Sequence, residues 1–260
     1  MPIQPNPLKT RLAAGGSACG TMLFEFLSPG LPRIAANAGA VFLFYDMEHS
    51  GFGVDQMKTQ FALCHGAGVV PLARPPAKQY QYAARLLDCG VMGLMYQMVE
   101  SAEEAAELVS WSRYPPRGER GALFGGAHDG YATDDVPAAI ADAEARTLNI
   151  MLIETATGLQ NVDAIAAVEG VDVLHIGYLD LSISLGCPGD MSHPDLQAGI
   201  DAIASAADRH GKTAATLAGS AAWGRDLIAR GYRMISWSFD SMILQDGLEA
   251  GIAALKQAGD

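Results

Sequence analysis

The sequence predicts a single domain with an α/β fold of the (β/α)8 TIM-barrel class, for two reasons. Its 260 residues are the usual size of one such barrel. Short apolar runs bounded by Gly, Pro or Asp alternate with segments of helical periodicity, which is the pattern of buried parallel strands joined by helices. Length alone would also permit two small domains, but no linker divides the chain. We therefore expect one domain over residues 1–260, with the C-terminal helix available for subunit contacts.

The apolar runs number eight, as a closed barrel requires. In order they span residues 18–24, 40–46, 69–74, 91–97, 148–154, 171–177, 212–217 and 232–238. The first run is not followed by the Gly-rich phosphate loop that is typical of doubly wound sheets. Closure into a barrel is therefore favoured over an open sheet.

Two segments between the strands carry local signals of their own. Ser101, followed three residues later by Glu104, forms a capping box and predicts the start of a helix. The segment 113–133 is rich in Gly and Pro and too long for an ordinary connection, so we interpret it as a functional loop.

Composition and charge exclude several classes of function. Half of the residues are apolar and 18% are charged, which is enough apolar material for a large core. The 17 basic and 29 acidic residues give a formal net charge of −12, which disfavours binding to nucleic acid or to an anionic membrane surface. No apolar run reaches the roughly 18 residues of a membrane span, and the N-terminus lacks the apolar middle of a signal peptide. We therefore expect a cytoplasmic protein.

Polar residues follow the strands of the predicted barrel. The carboxyl ends of barrel strands converge on one mouth, where catalytic residues collect. Glu154 follows strand five and Asp180 follows strand six. Two carboxylates on adjacent strands can bind one hard cation and leave positions open for substrate and water. Each acid alone could instead be a helix cap or a surface group. The mouth set also contains Asp46, Glu48, His49, Arg74 and Gln97.

Arg74 is the cation expected among these acids. It ends an apolar strand and precedes two prolines, so its guanidinium should stand in the mouth. There it could pair with a substrate carboxylate or a developing enolate. The alternative is an internal salt bridge with Asp46 or Glu48.

Three histidines receive different interpretations. His49 lies just beyond strand two and could act as a general base near neutral pH. His128 lies on the long loop and is a candidate to reach a substrate. His175 falls inside strand six, so we expect it to be a satisfied core or interface group.

Several short motifs occur in a recognisable order between strands two and eight. They are Tyr45-Asp46-Met47-Glu48-His49, Ala73-Arg74-Pro75, Leu87-Asp88-Cys89-Gly90, Met98-Val99-Glu100, the segment 113–121, Ile153-Glu154-Thr155 and Asp180-Leu181-Ser182. In these motifs the chain resembles the metal-dependent (class II) pyruvate aldolases. That family includes the 4-hydroxy-2-ketoheptanedioate and 2-keto-3-deoxy sugar acid aldolases.

The resemblance implies a lyase that cleaves a 4-hydroxy-2-keto acid reversibly into pyruvate, or hydroxypyruvate, and an aldehyde. Glu154 and Asp180 would ligate Mg²⁺, Mn²⁺ or Co²⁺ together with the carboxylate and keto oxygens of pyruvate. Arg74 would stabilise the enolate, and His49 would move the proton, directly or through a metal-bound water. Asp46 would lie in the outer shell of the metal, and no organic cofactor would be needed.

The resemblance also implies an oligomer, a hexamer built as a trimer of dimers. The family pairs the aspartate at Asp88 with the catalytic histidine. Asp88 precedes strand four, however, and should lie on the opposite face of the barrel. We therefore expect Asp88 to reach His49 of a neighbouring subunit.

The chain departs from the family pattern around the mouth. Tyr178 and Leu179 follow Gly177 where the family has a small turn, which would place a bulky aromatic beside the metal. The loop after Arg120 lacks an arginine of the family, which argues against an aldehyde that carries its own carboxylate. Outer-shell or substrate-binding roles are expected for Asp46, Gln97, His128, Gly177, Tyr178, Leu179 and Leu217.

Two other functions remain open at this stage. The first keeps the metal-enolate site and changes the reaction to that of a malyl-CoA or citramalyl-CoA lyase or a 2-keto acid decarboxylase. The substitutions at Tyr178 and His128 motivate it, although no basic patch for coenzyme A is evident. The second is a ligand-binding barrel that has lost turnover, because fold does not fix function.

Overall fold

The computed structural model of the protein describes residues 3–132 and 134–257. In this part of the chain eight parallel strands close into a barrel in sequential order, with β8 paired to β1. This confirms the predicted fold, and the strand ends differ from the predicted ends by at most two residues. The strands are β1 Ala18–Leu23, β2 Phe42–Asp46, β3 Val70–Arg74, β4 Gly93–Tyr96, β5 Leu148–Ile153, β6 Val173–Ile176, β7 Thr213–Ala218 and β8 Tyr232–Phe239.

Helices connect the strands and surround the barrel. The side chain of Ser101 accepts a hydrogen bond from the backbone N–H of Glu104 at 3.1 Å, which confirms the predicted helix start. The helices are α1 Pro7–Ala13, α2 Leu31–Asn37, α3 Val54–Ala67, α4 Tyr80–Asp88, α5 Ala102–Ser110, α6 Val136–Arg146, α7 Ala156–Gln160, α8 Val162–Ala167, α9 Tyr178–Ser184, α10 Pro194–Arg209, α11 Ala221–Ala229 and α12 Asp240–Gln257.

The lumen of the barrel is a packed apolar core. Leu8 and Leu12 of α1 pack into this core and close the N-terminal end of the barrel. A methyl group on Gly93 would lie only 2.7 Å from the side chain of Leu72, so the space between the strands is already filled. Because the lumen is filled by apolar side chains and closed below, we expect polar chemistry at the opposite, C-terminal mouth.

The described part of the long segment, residues 113–132, packs against the N-terminal end of the barrel. Its regular structure is one 3-10 turn, Ala127–Asp129, which contacts α4 and α6. The turn lies beside Gly90, which precedes β4. The carbonyl oxygen of Ala127 is 3.7 Å from the position that a Cβ atom on Gly90 would take. Thr133, the last residue of the predicted loop, lies outside the described residues.

The helix α12 leaves much of its apolar surface uncovered. Large side chains are exposed along its length, up to 77% for Leu255. Beside it, a groove of about 750 Å³ opens between α2 and α12 over β1 and β8. Its walls include Leu23, Ile34 and Trp237. Helix and groove together form an apolar surface that remains open in the described part of the chain. No described helix has both the length and the apolar character needed to cross a bilayer.

Candidate active site

A network of ion pairs occupies the β2 and β3 side of the mouth. Asp46 is fully buried and binds the Nε and Nη2 atoms of Arg74. The Nη1 atom of Arg74 lies 3.0 Å from the carboxylate of Glu48. The structure therefore shows Arg74 in the internal salt bridge that the sequence analysis gave as the alternative to pairing with a substrate. A guanidinium has five N–H groups, so these contacts do not exhaust its donors.

Glu154 lies just beyond β5 and is 5% exposed. Its Oε1 accepts the backbone N–H of Met98 at 2.7 Å. Burial raises the pKa of Glu154 to about 7, against the opposing effects of that hydrogen bond and of Arg74. The negative charges of Asp180 and Glu48 raise this pKa further. The mouth thus concentrates more negative charge than one guanidinium neutralises, which is the electrostatic environment of a cation site.

Asp180 stands in the first turn of α9, at an exposed position. The residue that lets β6 approach Glu154 is Gly177, because a methyl group there would lie 2.6 Å from the Oε2 atom of Glu154. The effect of Asp180 on the pKa of Glu154 places the two carboxylates within electrostatic reach of each other. Among residues 3–132 and 134–257, no three or more His, Cys, Asp or Glu residues form a complete metal cage. Two carboxylates would leave coordination positions for substrate and water.

The remaining predicted mouth residues fall on its rim. His49 is exposed, with its backbone N–H bonded to Asp46 at 2.7 Å. Gln97 is buried and donates its Nε2 hydrogen to the carbonyl of Pro75 at 3.2 Å. Leu217 is half-buried at the end of β7 against the core of the lumen, and Leu179 is exposed beside Asp180.

Tyr178 begins α9, two residues before Asp180. Its half-buried ring packs edge-on against Trp223 of α11, with 6.2 Å between ring centroids. Burying two large rings against each other stabilises the packing of α9 on α11. The expectation of an aromatic ring beside the metal stays a prediction.

His128 and Asp88 both lie at the N-terminal end of the barrel. Asp88 ends α4, and its carboxylate accepts a hydrogen bond from Arg120 at 3.2 Å. This confirms that Asp88 faces away from the mouth of its own chain. His128 is 2% exposed and packs beside Phe124, so the expectation that it reaches a substrate is wrong within one chain. The reason is that the 3-10 turn carrying His128 packs against α4 and α6.

One functional group escaped the sequence analysis, namely the backbone of Met98. This residue has a φ of 48°, which directs its N–H at Glu154, and its carbonyl accepts a hydrogen bond from the Nζ atom of Lys78 at 2.8 Å. A backbone donor can belong to any residue type, so no sequence signal could have identified it.

Comparison with known proteins gives consistent relatives. A family model described as HpcH/HpaI aldolase/citrate lyase matches residues 21–246. A 5-keto-4-deoxy-D-glucarate aldolase of Klebsiella pneumoniae is 34% identical and covers 88% of this chain and 91% of its own. A hydroxypyruvate/pyruvate aldolase of Roseobacter denitrificans is 34% identical, with 95% and 96% covered. The crystal structure of an HpcH/HpaI aldolase from Desulfitobacterium hafniense superposes with a TM-score of 0.91 at 32% identity, covering 96% of both chains.

The raised pKa of Glu154 predicts a pH-dependent gain in stability for Glu154→Gln. The pKa of Glu154 is about 7 in the folded protein, whereas in the unfolded chain this carboxyl has its ordinary pKa of 4.5. Stability therefore falls as the pH rises through this window. In metal-free protein, Glu154→Gln should raise the free energy of unfolding at pH 8 by up to about 3 kcal/mol, and much less at pH 5.

Denaturant unfolding in EDTA at the two pH values measures this difference. Glu169→Gln is the matched control, because this glutamate is 82% exposed at its side chain and its charge stays in solvent. A gain for Glu154→Gln that is equal at both pH values would contradict the assigned pKa.

Proposed function

The chain belongs to the HpcH/HpaI aldolase/citrate lyase family, and on that premise we propose that it cleaves a 4-hydroxy-2-keto acid in a reversible, divalent-metal-dependent aldol reaction. The products would be pyruvate, or hydroxypyruvate, and an aldehyde. Its aldolase relatives support a carbon–carbon lyase. The observation that carries the proposal is buried Glu154 at the end of β5, whose pKa responds to the charges of both Asp180 and Arg74.

Glu154 and Asp180 are the residues that would hold the cation, which would be Mg²⁺, Mn²⁺ or Co²⁺. The fit rests on charge and on donor chemistry, because carboxylate oxygens suit hard cations and burial raises the pKa of Glu154 to about 7 even with the opposing effects of the Met98 N–H and Arg74. A divalent cation bound there supplies a Lewis acid that polarises the 2-keto group. No organic cofactor enters the proposal.

Arg74 provides the second positive charge. Asp46 and Glu48 hold the guanidinium from two sides, so it is already oriented when negative charge develops on the keto oxygen. A charge that is oriented in advance stabilises an enolate without reorganisation during the reaction. His49, exposed on the rim with its Nε2 atom 3.8 Å from Glu48, is the residue that would move the proton between the reacting oxygen and solvent.

The choice of substrate is proposed from both sides of the mouth. One relative is named a hydroxypyruvate/pyruvate aldolase. We propose pyruvate or hydroxypyruvate as the donor substrate of this chain as well. The loop after Arg120 lacks the arginine that the family resemblance leads us to expect there. We therefore propose an aldehyde without a carboxylate of its own.

Exchange of the methyl protons of pyruvate in D₂O tests this proposal without knowledge of the aldehyde. With Mn²⁺ the protein should catalyse exchange, because enolisation needs only the donor half of the site. EDTA, Glu154→Ala and Asp180→Ala should each reduce exchange to the uncatalysed rate. Asp163→Ala, which removes an exposed carboxylate paired with Arg209 on the outer surface, should exchange as the wild type does. Exchange that persists in EDTA and in Glu154→Ala would refute the metal site.

We further propose a homo-oligomer, as the resemblance implies, in which α12 of one copy covers the groove between α2 and α12 of a neighbour. The groove is apolar, and the exposed face of α12 is apolar along its length. The double variant Leu244→Asp/Leu248→Asp should therefore reduce the molar mass in light scattering. Ile228→Asp, at a comparably exposed apolar position on α11, is the control. An unchanged mass in the double variant would contradict this interface.

A shared active site would also explain the position of Asp88. We propose that Asp88 reaches His49 of a neighbouring subunit, so Asp88→Ala and His49→Ala should each lose pyruvate exchange. When the two inactive variants are dissociated and reassembled together, some sites regain both residues and activity should return in part. If mixing restores nothing, or if Asp88→Ala alone is fully active, the shared site does not exist.

A further inference from the structure

His175 is a buried histidine that the proposed reaction does not use. It faces the lumen from β6 and is 3% exposed. Its ring meets the ring of Phe44 on β2 edge-on, with 6.4 Å between centroids. Since β2 and β6 are opposite strands of the barrel, the imidazole extends across the lumen. Phe44 lies two residues before Asp46 on the same face of β2, so His175 lies one layer beneath the ion pair of Asp46 and Arg74.

The imidazole of His175 is only half satisfied. Its Nδ1 atom lies 3.1 Å from the carbonyl of Ile176, and because a carbonyl only accepts, Nδ1 carries the hydrogen. Nε2 therefore presents a lone pair, and it has no hydrogen-bond partner among the described residues. His175 is therefore a core residue, as expected, but only one of its two ring nitrogens has a partner among the described residues. An unpaired buried polar atom costs about 1–3 kcal/mol, a cost that phenylalanine in the same layer would avoid.

The group that could use this lone pair is Arg74. Burial, and then the charge of Arg74, lower the pKa of His175 to about 3. The ring is therefore neutral at physiological pH, and its Nε2 remains an acceptor. Asp46 and Glu48 engage three nitrogens of the guanidinium, which has two further N–H groups to donate.

We propose that His175 is a positioning residue for Arg74, in which Nε2 accepts a hydrogen bond from the guanidinium through one bridging water and supports it from below. Asp46 and Glu48 then fix the guanidinium from the sides, and its remaining donor is directed at the enolate oxygen. This role rests on the proposed function. His175 would then act on the reaction through Arg74 and not through the stability of the fold.

The substitution His175→Phe separates the two effects. It keeps an aromatic ring against Phe44 and removes the lone pair, so the fold should be retained, which the thermal midpoint checks. The kcat of pyruvate proton exchange should fall roughly 10-fold or more, the effect of losing a hydrogen bond to a charged group. His175→Gln, which keeps an acceptor, should restore most of the loss. The ¹⁵Nε–H resonance of Arg74, assigned by its absence in Arg74→Lys, should move in His175→Phe.

His65→Phe is the matched control, because the Nε2 atom of His65 is paired with the carbonyl of Gly90 at 2.8 Å outside the lumen. This variant should lower the thermal midpoint and leave both exchange and the Arg74 resonance unchanged. The Arg74 resonance decides the proposal: if it is unmoved in His175→Phe, the proposal is wrong, whatever the kcat. If the wild type fails to exchange pyruvate protons, the proposed function falls, and the resonance still tests the contact.

Discussion

The rest of the site depends on the crowding of carboxylates at one end of the barrel. Burial raises the pKa of Glu154 to about 7, and Asp180 and Glu48 add to the unfavourable charge, while Asp46 is fully buried beside them. Arg74 bonds two of these acids and cannot neutralise all four. A protein retains such an arrangement at a cost in stability. A divalent cation would relieve the repulsion, which links the electrostatics of the fold directly to the proposed chemistry.

The barrel delivers these groups through small details of its backbone. The chain passes close to Glu154 at the end of β6 because residue 177 is a glycine. A methyl group on Gly177 would lie only 2.6 Å from the carboxylate of Glu154. Met98 adopts a φ of 48° and directs a backbone hydrogen at the same carboxylate. The layer below contributes His175, whose Nε2 has no partner among the described residues. The mouth is therefore fixed by the strands and by the lumen together, so changes beneath the acids should affect the reaction.

The sequence predicted the barrel and the composition of its mouth, because strand periodicity and residues at strand ends are local features. Glu154, Asp180, Arg74 and Asp46 all lie where the strand order placed them. The directions of side chains on the helices and loops could not be predicted from the sequence. Tyr178 packs on Trp223 of α11, and the turn that carries His128 packs on α4 and α6, so tertiary packing positions both rings.

The most direct test of the central claim is a crystal structure with Mn²⁺ and pyruvate, measured at the manganese absorption edge. The proposed site predicts an anomalous peak between the carboxylates of Glu154 and Asp180, with the carboxylate and keto oxygens of pyruvate on the same ion and the guanidinium of Arg74 facing the keto oxygen. Pyruvate bound in the mouth without Mn²⁺, or a manganese peak away from these two carboxylates, would contradict the claim.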